Sequence, residues 1–366
     1  FDDEFIRNAL YRNFLDPYKR EWENNCSRWD IIDLVRAAYD LRPDGISWPP
    51  RKEKTGNPTF RLVALTEANN IEQIGAHDAL VDVRATIAIA KLIKEKQPKL
   101  YEYYFALRNK TQVKKIVQTP FGEPVLYTAA FFSKNEGCSR LITAITHMKS
   151  NANAIICFDL SKDVAPLLNA TEETLLKTEG VFTLSINKCP FVSPLSVLTD
   201  QLAIKLGIDK ELALFRHKQI SSHTKLLMTA RNVVDTYEGV DDVDFQLYDR
   251  FFGDADQKRF NLIRQAQPKE KLSLHLDFED GRVAPLLFRH VARNWSEVLN
   301  DEQKRKWRSF CANRTLNPPG TIKMNWHFFK RKRDEKLAST EISAEEKRVL
   351  ADLKAYGEEL EKRIFG

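Results

Sequence analysis

The sequence predicts a chain with helical ends and a β-rich middle, organised as two or three domains. Three observations predict it. At 366 residues the chain is longer than one hydrophobic core supports, because cores stop growing beyond about 250–300 residues. Apolar residues at helical spacing dominate up to about position 97 and again after about position 237. Between them, short β-branched and aromatic runs alternate with polar turns, the pattern of a small antiparallel barrel or sheet.

In order along the chain, Phe5, Ile6, Ala9 and Leu10 predict a helix over Asp2 to Tyr11. Ser27 is placed to cap a second helix through Ile31, Ile32, Leu34, Val35 and Ala38, ended by Arg42-Pro43-Asp44-Gly45. Pro49 to Pro58 is polar and charged and reads as a surface loop. A short helix spans Thr66 to Asn70, and Asp78 caps a long one from Ala79 to Lys96 that stops near Pro98. The β-rich runs are Pro124 to Phe132, Ser139 to Ile145, Ala154 to Leu160 and Gly180 to Ile186. Helical spacing returns after Thr199 and ends in an amphipathic stretch from Glu345 to Ile364.

Hydrophobic residues make up 43% of the chain and aromatics 10%, enough for sizeable cores and too many for a disordered segment. The net charge of +6 permits a polyanionic partner. It is concentrated: residues 301–340 hold 11 Lys and Arg against 4 Asp and Glu, a local net of +7. Five scattered cysteines without a CxxC pair argue against a disulfide framework or a zinc site and for a reducing cytoplasm. No apolar run reaches the roughly 18–20 residues of a membrane span, and no signal peptide is present. The chain opens on Phe1 inside a predicted helix, so the expectation is a fragment whose natural start is missing.

The chemistry-bearing candidates are His77 and Asp82, with Asp2, Asp3 and Glu4 at the first helix. Cleaving a phosphodiester needs carboxylates to hold divalent cations and a base that deprotonates the attacking water. His77 precedes a helix and Asp82 sits one turn inside it, roughly 140° apart on an ideal helix. The plainer alternative makes all of these first-turn carboxylates favoured by a helix dipole, with His77 a loop residue. Arg7, Tyr18, Trp22 and Arg36 interleave cations with aromatics, as single-stranded nucleic-acid surfaces do. Against that stands a core role for Tyr18 and Trp22, with the arginines on a solvated face. Lys304-Arg305-Lys306 and Lys330-Arg331-Lys332-Arg333 are either solvated helix faces or phosphate-binding runs. Phosphate-loop, dinucleotide and serine-hydrolase motifs are lacking.

Several stretches carry a specific resemblance along nearly the whole chain. They are Phe1-Asp2-Asp3-Glu4, Ser27-Arg28-Trp29-Asp30, Leu41-Arg42-Pro43, Phe60-Arg61-Leu62 and His77-Asp78-Ala79-Leu80-Val81-Asp82-Val83. Further on come Ile186-Asn187-Lys188-Cys189-Pro190, Gln246-Leu247-Tyr248, Phe251-Phe252 and Asp254-Ala255-Asp256. In their order and spacing the chain resembles the bacterial exonuclease I family, nucleases with four acidic residues and a histidine that degrade single-stranded DNA from the 3′ end.

The resemblance implies an α/β fold: part of an RNase H-like exonuclease domain at 1–97, an SH3-like β domain at 98–236, and an all-α C-terminal region at 237–366, closing as a clamp over the strand. It implies His77 as general base, Asp82 and Asp2 as metal ligands, and two Mg²⁺ ions. The family's opening Asp-x-Glu motif has no counterpart here, so the polypeptide is expected to bind metal poorly and to cleave slowly or not at all. Strand-contacting positions fall on Arg7, Tyr18, Trp22, Arg36, Arg61 and Lys110, with weaker matches at Asn153, Asn187 and Tyr248. The family also docks the acidic tail of single-stranded-DNA-binding protein. Arg42 and Tyr103 match that pocket, whereas Pro194 and Thr199 depart from it.

The implied function is release of 5′-mononucleotides in DNA repair and recombination, by a cytoplasmic monomer without membrane association. Two rivals are an RNA or oligonucleotide exonuclease and a non-catalytic module that binds single strands or docks a partner.

Overall fold

The computed structural model describes residues 2–50, 59–72, 79–132, 137–234, 239–319, 324–339 and 342–365. The chain forms two compact units. A central unit is Glu21–Thr236, and a terminal unit combines Phe1–Arg20 with Tyr237–Gly366. In chain order the α-helices are α1 Asp2–Arg12, α2 Ile32–Leu41, α3 Leu62–Ala68, α4 Ala79–Lys96, α5 Pro98–Ala106, α6 Lys110–Ile116, α7 Ala165–Leu168, α8 Asp200–Lys205, α9 Lys210–Ser221, α10 Thr224–Asn232, α11 Asp254–Gln265, α12 Val283–Asn294, α13 Asp301–Leu316, α14 Trp326–Leu337 and α15 Ala344–Phe365. The strands are β1 Val125–Thr128, β2 Ser139–His147, β3 Ala154–Asp159, β4 Val181–Ser185 and β5 Phe191–Pro194. No helix among the described residues is long and apolar enough to cross a membrane.

In the central unit, α2 buries Leu34, Val35, Ala37, Ala38 and Leu41. Its first turn is held by Asp30, whose Oδ1 accepts from the Ile32 amide at 2.9 Å. Ser27 is therefore not the cap. It lies too far upstream, and its hydroxyl accepts from Arg108 Nη1 at 2.8 Å. The helix stops ahead of Pro43 as expected. The predicted helix at Thr66 begins earlier, at Leu62, and Asn70 ends it with a left-handed φ of 55°. The predicted loop from Pro49 to Pro58 lies almost wholly outside the described residues, as do His77 and Asp78. Pro98 opens α5, where its missing N–H is harmless. With α6, that makes two helices where the reading of the sequence assigned none.

The sheet is antiparallel in the order β4-β3-β2-β1-β5. Four strands match the predicted runs. The fifth, β5, is only four residues long and was not predicted. It pairs with β1, Thr128 opposite Phe191 and Val125 opposite Pro194. A register shift between Ala144 and Thr146 marks a bulge at buried Ile145.

Two polar anchors tie helices to this sheet. Asp40, buried at the end of α2, accepts at Oδ2 from the Cys138 amide (2.9 Å) and Ser139 Oγ (2.6 Å). Burial pushes its pKa up, against those bonds. Lys205 of α8 donates to the carbonyls of Tyr39 (3.0 Å) and Asp40 (2.7 Å), completing the end of α2. The buried Tyr104 hydroxyl of α5 lies 2.9 Å from the Asp30 carbonyl and 3.0 Å from that of Cys189.

The terminal unit has its own core, in which Tyr11 and Phe14 pack with Phe260, Ile263, Leu286 and Val291. Around it runs a network of buried charge. Asp244 is fully buried and meets Arg293 at 2.5 Å, Arg314 at 2.7 Å and Arg289 at 3.2 Å. Asp242 pairs with Arg289 (2.5 Å) and Arg314. Burial alone would raise the Asp242 pKa, but these guanidinium bonds outweigh it and hold it down. Buried carboxylates are tolerated when paired this fully; removing one partner from such a pair costs about 3–5 kcal/mol. Further on, α15 packs on α13 and α14, with Gly357 buried near Trp326, Phe329 and Arg333. Lys330 pairs with Glu361 (3.1 Å), Lys332 with Glu335 (2.8 Å) and Arg333 with Asp334 (2.7 Å). That basic run is a paired helix surface, the plainer of its two readings.

His290 gives this unit a pH signature. It is buried, with Nδ1 3.0 Å from Asn13 Oδ1. Burial first, then Lys271 and Arg293, push its pKa down from 6.5 to about 4. The folded value lies below the unfolded one, so the unfolded chain takes up the proton first. Stability contributed by the neutral ring is complete above pH 6.5 and is lost as pH falls towards 4, by on the order of 3 kcal/mol. Urea midpoints of wild type should drop across that window, and those of His290→Gln should drop less.

Candidate nucleic-acid interface

The terminal unit gathers three of the predicted strand contacts. Asp2, Asp3 and Glu4 fill the first turn of α1, where the helix dipole favours acids. Asp3 pairs with Arg20 at 2.6 Å. One turn on, Arg7 points inward and is only 6% exposed. Its Nη1 donates to Glu4 Oε1 (3.0 Å) and lies 3.3 Å from Tyr248 Oη. The Tyr248 hydroxyl also donates to Glu4 Oε2. Partial burial, together with that bond to a carboxylate, raises the Tyr248 pKa. The Arg7 guanidinium sits 5.3 Å from the centroid of the Tyr18 ring, and Phe251 stands edge-on to Tyr18 at 5.8 Å.

Arg7 and Tyr248, 241 residues apart in sequence, thus meet, the buried guanidinium lying against the exposed Tyr248 and beside half-buried Tyr18. The alternative of arginines on a solvated face fails for Arg7, which is buried against an aromatic. Asp2 is exposed at the start of the same helix.

The central unit carries the others. Trp22 is 63% exposed, which removes the alternative of a core tryptophan. Arg36 pairs with Asp33 at 2.7 Å on α2, and burial raises the Asp33 pKa against the pull of that guanidinium. Arg61 is exposed at the N-cap of α3, and Lys110 is exposed at the start of α6, whose amides Asn109 caps. The Ile186 amide donates to the Asn153 carbonyl at 2.9 Å. That bond sets Asn153, entering β3, beside the turn that holds exposed Asn187 after β4.

Asp82 is half-buried in the first turn of α4, and its carbonyl accepts from Thr86 Oγ1 at 2.8 Å. His77 lies outside the described residues. Among the described residues no three His, Cys, Asp or Glu side chains group as a metal site. The donors named are nonetheless of the right kind: carboxylate oxygens suit Mg²⁺ or Mn²⁺, and imidazole also accepts zinc.

Of the partner-pocket residues, Arg42 is exposed and Tyr103 half-buried. Tyr103 Oη donates to the Val192 carbonyl of β5 at 2.7 Å, and burial raises its pKa to about 12. Pro194 ends β5 where it pairs with Val125. Thr199 caps α8, accepting from the Leu202 amide at 3.2 Å. Thr199 thus serves the local backbone.

Glu4, grouped in the sequence with Asp2 and Asp3 as a candidate acid, instead bonds Arg7 and Tyr248. One residue escaped sequence reasoning as a site member. Phe251, 81% exposed beside Tyr18, reads as a core residue by type.

Family models match two segments, the exonuclease I SH3-like domain over residues 108–238 and the exonuclease I C-terminal domain over 241–360. Exodeoxyribonuclease I of Haemophilus influenzae is 38% identical over 333 residues, 86% of this chain and 70% of its own. The Escherichia coli enzyme is 36% identical over 323 residues, 84% of this chain and 68% of its own. The chain belongs to the exonuclease I family.

Solved exonuclease I structures agree. The enzyme from Methylocaldum szegediense superposes with a TM-score of 0.90 at 36% identity, and E. coli exonuclease I in complex with a dA16 oligonucleotide with 0.89 at 32%. Each similarity covers 98% of this chain and 78% of the other. A zinc-bound form of an E. coli exonuclease I–single-stranded DNA complex gives 0.88 at 32% identity, over 98% and 78%. An SSB/exonuclease I structure with an inhibitor gives 0.86 at 34%, over 98% and 77%.

Several exonuclease I motifs in this chain are scaffolding. Trp29 meets Tyr101, Tyr104 and Phe105 edge-on or tilted at 5.2–5.7 Å. Asp256 accepts from the Glu279 (3.1 Å) and Asp280 (2.9 Å) amides. Cys189 turns the chain into β5 at a φ of 51°.

Proposed function

We propose that this exonuclease I family member degrades single-stranded DNA from the 3′ end to 5′-mononucleotides, as the cytoplasmic enzyme of a repair or recombination reaction. The observation that carries the reading is the meeting of Arg7 with Tyr18 and the exposed Tyr248. These are the residue types that hold an unpaired strand: a cation for phosphate and aromatic faces for bases or sugars. Oligonucleotide-bound relatives of the same fold support it.

The strand-contacting set is Arg7, Tyr18, Trp22, Arg36, Arg61, Lys110, Asn153, Asn187 and Tyr248. The working division is a nuclease part over 1–97, an SH3-like part over 98–236 and a helical part over 237–366. His77 takes the proton from the attacking water, and Arg61 steadies the strand near the scissile phosphate. Asp2 and Asp82 hold divalent cations, two Mg²⁺ in this reading, which when bound supply charge neutralisation at the phosphate and a more acidic water. Arg42 and Tyr103 receive the tail of single-stranded-DNA-binding protein, as the SSB-bound relative suggests; a monomer suffices for all of this.

The same meeting of Arg7, Tyr18 and Tyr248 also suits a second reading, a module that binds single strands without cutting them. Nucleotide release on adding Mg²⁺ separates the two readings.

Tyr18→Ala should weaken oligothymidylate binding by about 1–3 kcal/mol in fluorescence anisotropy. Lys110→Ala should cost less and lower the slope of affinity against salt by about one. His77→Ala should reduce Mg²⁺-dependent nucleotide release by roughly 10²–10⁴-fold while leaving the dissociation constant within about twofold. Equal losses in cleavage and gel-shift assays would refute the general-base role.

A further inference from the structure

The carboxylate of Glu4 stands inside a surface that the proposed function assigns to a polyanion, which calls for a reason. An acid there repels phosphate whatever its other contacts, a cost to be set against what it does for its neighbours. It touches two of them at once. Oε1 accepts from Arg7 Nη1 at 3.0 Å, and Oε2 accepts the Tyr248 hydroxyl, whose oxygen lies 3.3 Å from the same Nη1. The three side chains close a ring. Two of them are strand contacts in the reading above, and one of those, Tyr248, lies 244 residues along the chain from Glu4.

The exposures differ in a telling way. The Arg7 side chain is 8% exposed and that of Glu4 51%, while Tyr248 is 46% exposed. One oxygen of Glu4 thus pairs with a buried cation while the other reaches a half-exposed phenol. Glu4 is well placed to hold that phenol, which would otherwise sample several rotamers.

We propose that Glu4 is a positioning residue: by binding Arg7 and Tyr248 together it presents the Tyr248 ring to the DNA strand in one orientation. The inference rests on the reading that Arg7 and Tyr248 touch the strand. Its signature is coupling. Glu4→Ala and Tyr248→Phe both break the Glu4–Tyr248 bond, and Glu4→Ala also unpairs Arg7, so the double variant costs less than the product of the single losses.

The test is oligothymidylate binding by the whole chain in EDTA, where no cleavage contributes. Glu4→Ala and Tyr248→Phe should each weaken binding roughly three- to tenfold, and the double variant should bind about as Glu4→Ala does. Glu4→Gln keeps an acceptor for Arg7 and a partner for the phenol, and should stay within about twofold of wild type; thermal melts confirm that each variant folds. The proposal is overturned if Glu4→Ala binds as well as or better than wild type, or if the double variant multiplies the single losses, while Arg7→Ala and Tyr248→Ala still weaken binding. If Arg7→Ala and Tyr248→Ala leave binding unchanged, the strand-contact reading itself fails and takes the proposal with it.

Discussion

Arg282 fixes where Tyr248 can stand, and much of the terminal unit's site depends on that. Its Nη1 donates to the Gln246 carbonyl (2.6 Å) and its Nη2 to the Arg250 carbonyl (2.9 Å), bracketing Tyr248 on both sides. The guanidinium pairs with Asp280 at 2.8 Å and lies 4.4 Å from the centroid of the Phe252 ring. Burial opposes charge on Asp280, but the hydrogen bonds of Arg282 and Arg250 hold its carboxyl well below the usual range. Asp256 in turn receives the Asp280 amide. An irregular segment with few backbone partners of its own is thereby held by side chains.

That chain of contacts gives the family motifs a physical meaning. Gln246-Leu247-Tyr248, Phe251-Phe252 and Asp254-Ala255-Asp256 hold one presenting residue, a rim aromatic, and the acceptors and ring that hold their backbone. The central unit repeats the logic with different parts. Ser27 binds Arg108, Trp29 packs on α5, and Asp30 accepts the Ile32 amide at the start of α2 while its carbonyl lies within reach of Tyr104. Specific motifs in a nuclease family are therefore not all chemistry; several keep short loops in place.

Much of the fold was legible because its signals are local. The spans of α1 and α4 follow from apolar spacing and from the proline beyond α4, and four strands from runs of β-branched residues. The misses have equally local causes. Ser27 looks like a cap, but it lies too far upstream, and Asp30, nearer the helix, takes the first-turn Ile32 amide. β5 has four residues, too few for an alternation to show. Pro98 reads as a stop but equally starts a helix, and nothing short of packing decides between the two.

For the site, the sequence by itself determined the residue types: cations and aromatics for a strand, and aspartates with a histidine for metal-assisted hydrolysis. Side-chain chemistry does not change on folding, so those could be read directly. Only the tertiary structure decided which of them meet. Arg7 faces inward onto Tyr18, Trp22 faces solvent, and Glu4 joins Arg7 to a tyrosine 244 residues away. Which side of a helix is buried, and what a distant loop brings to it, depends on non-local packing, and no periodicity within a short window contains that information.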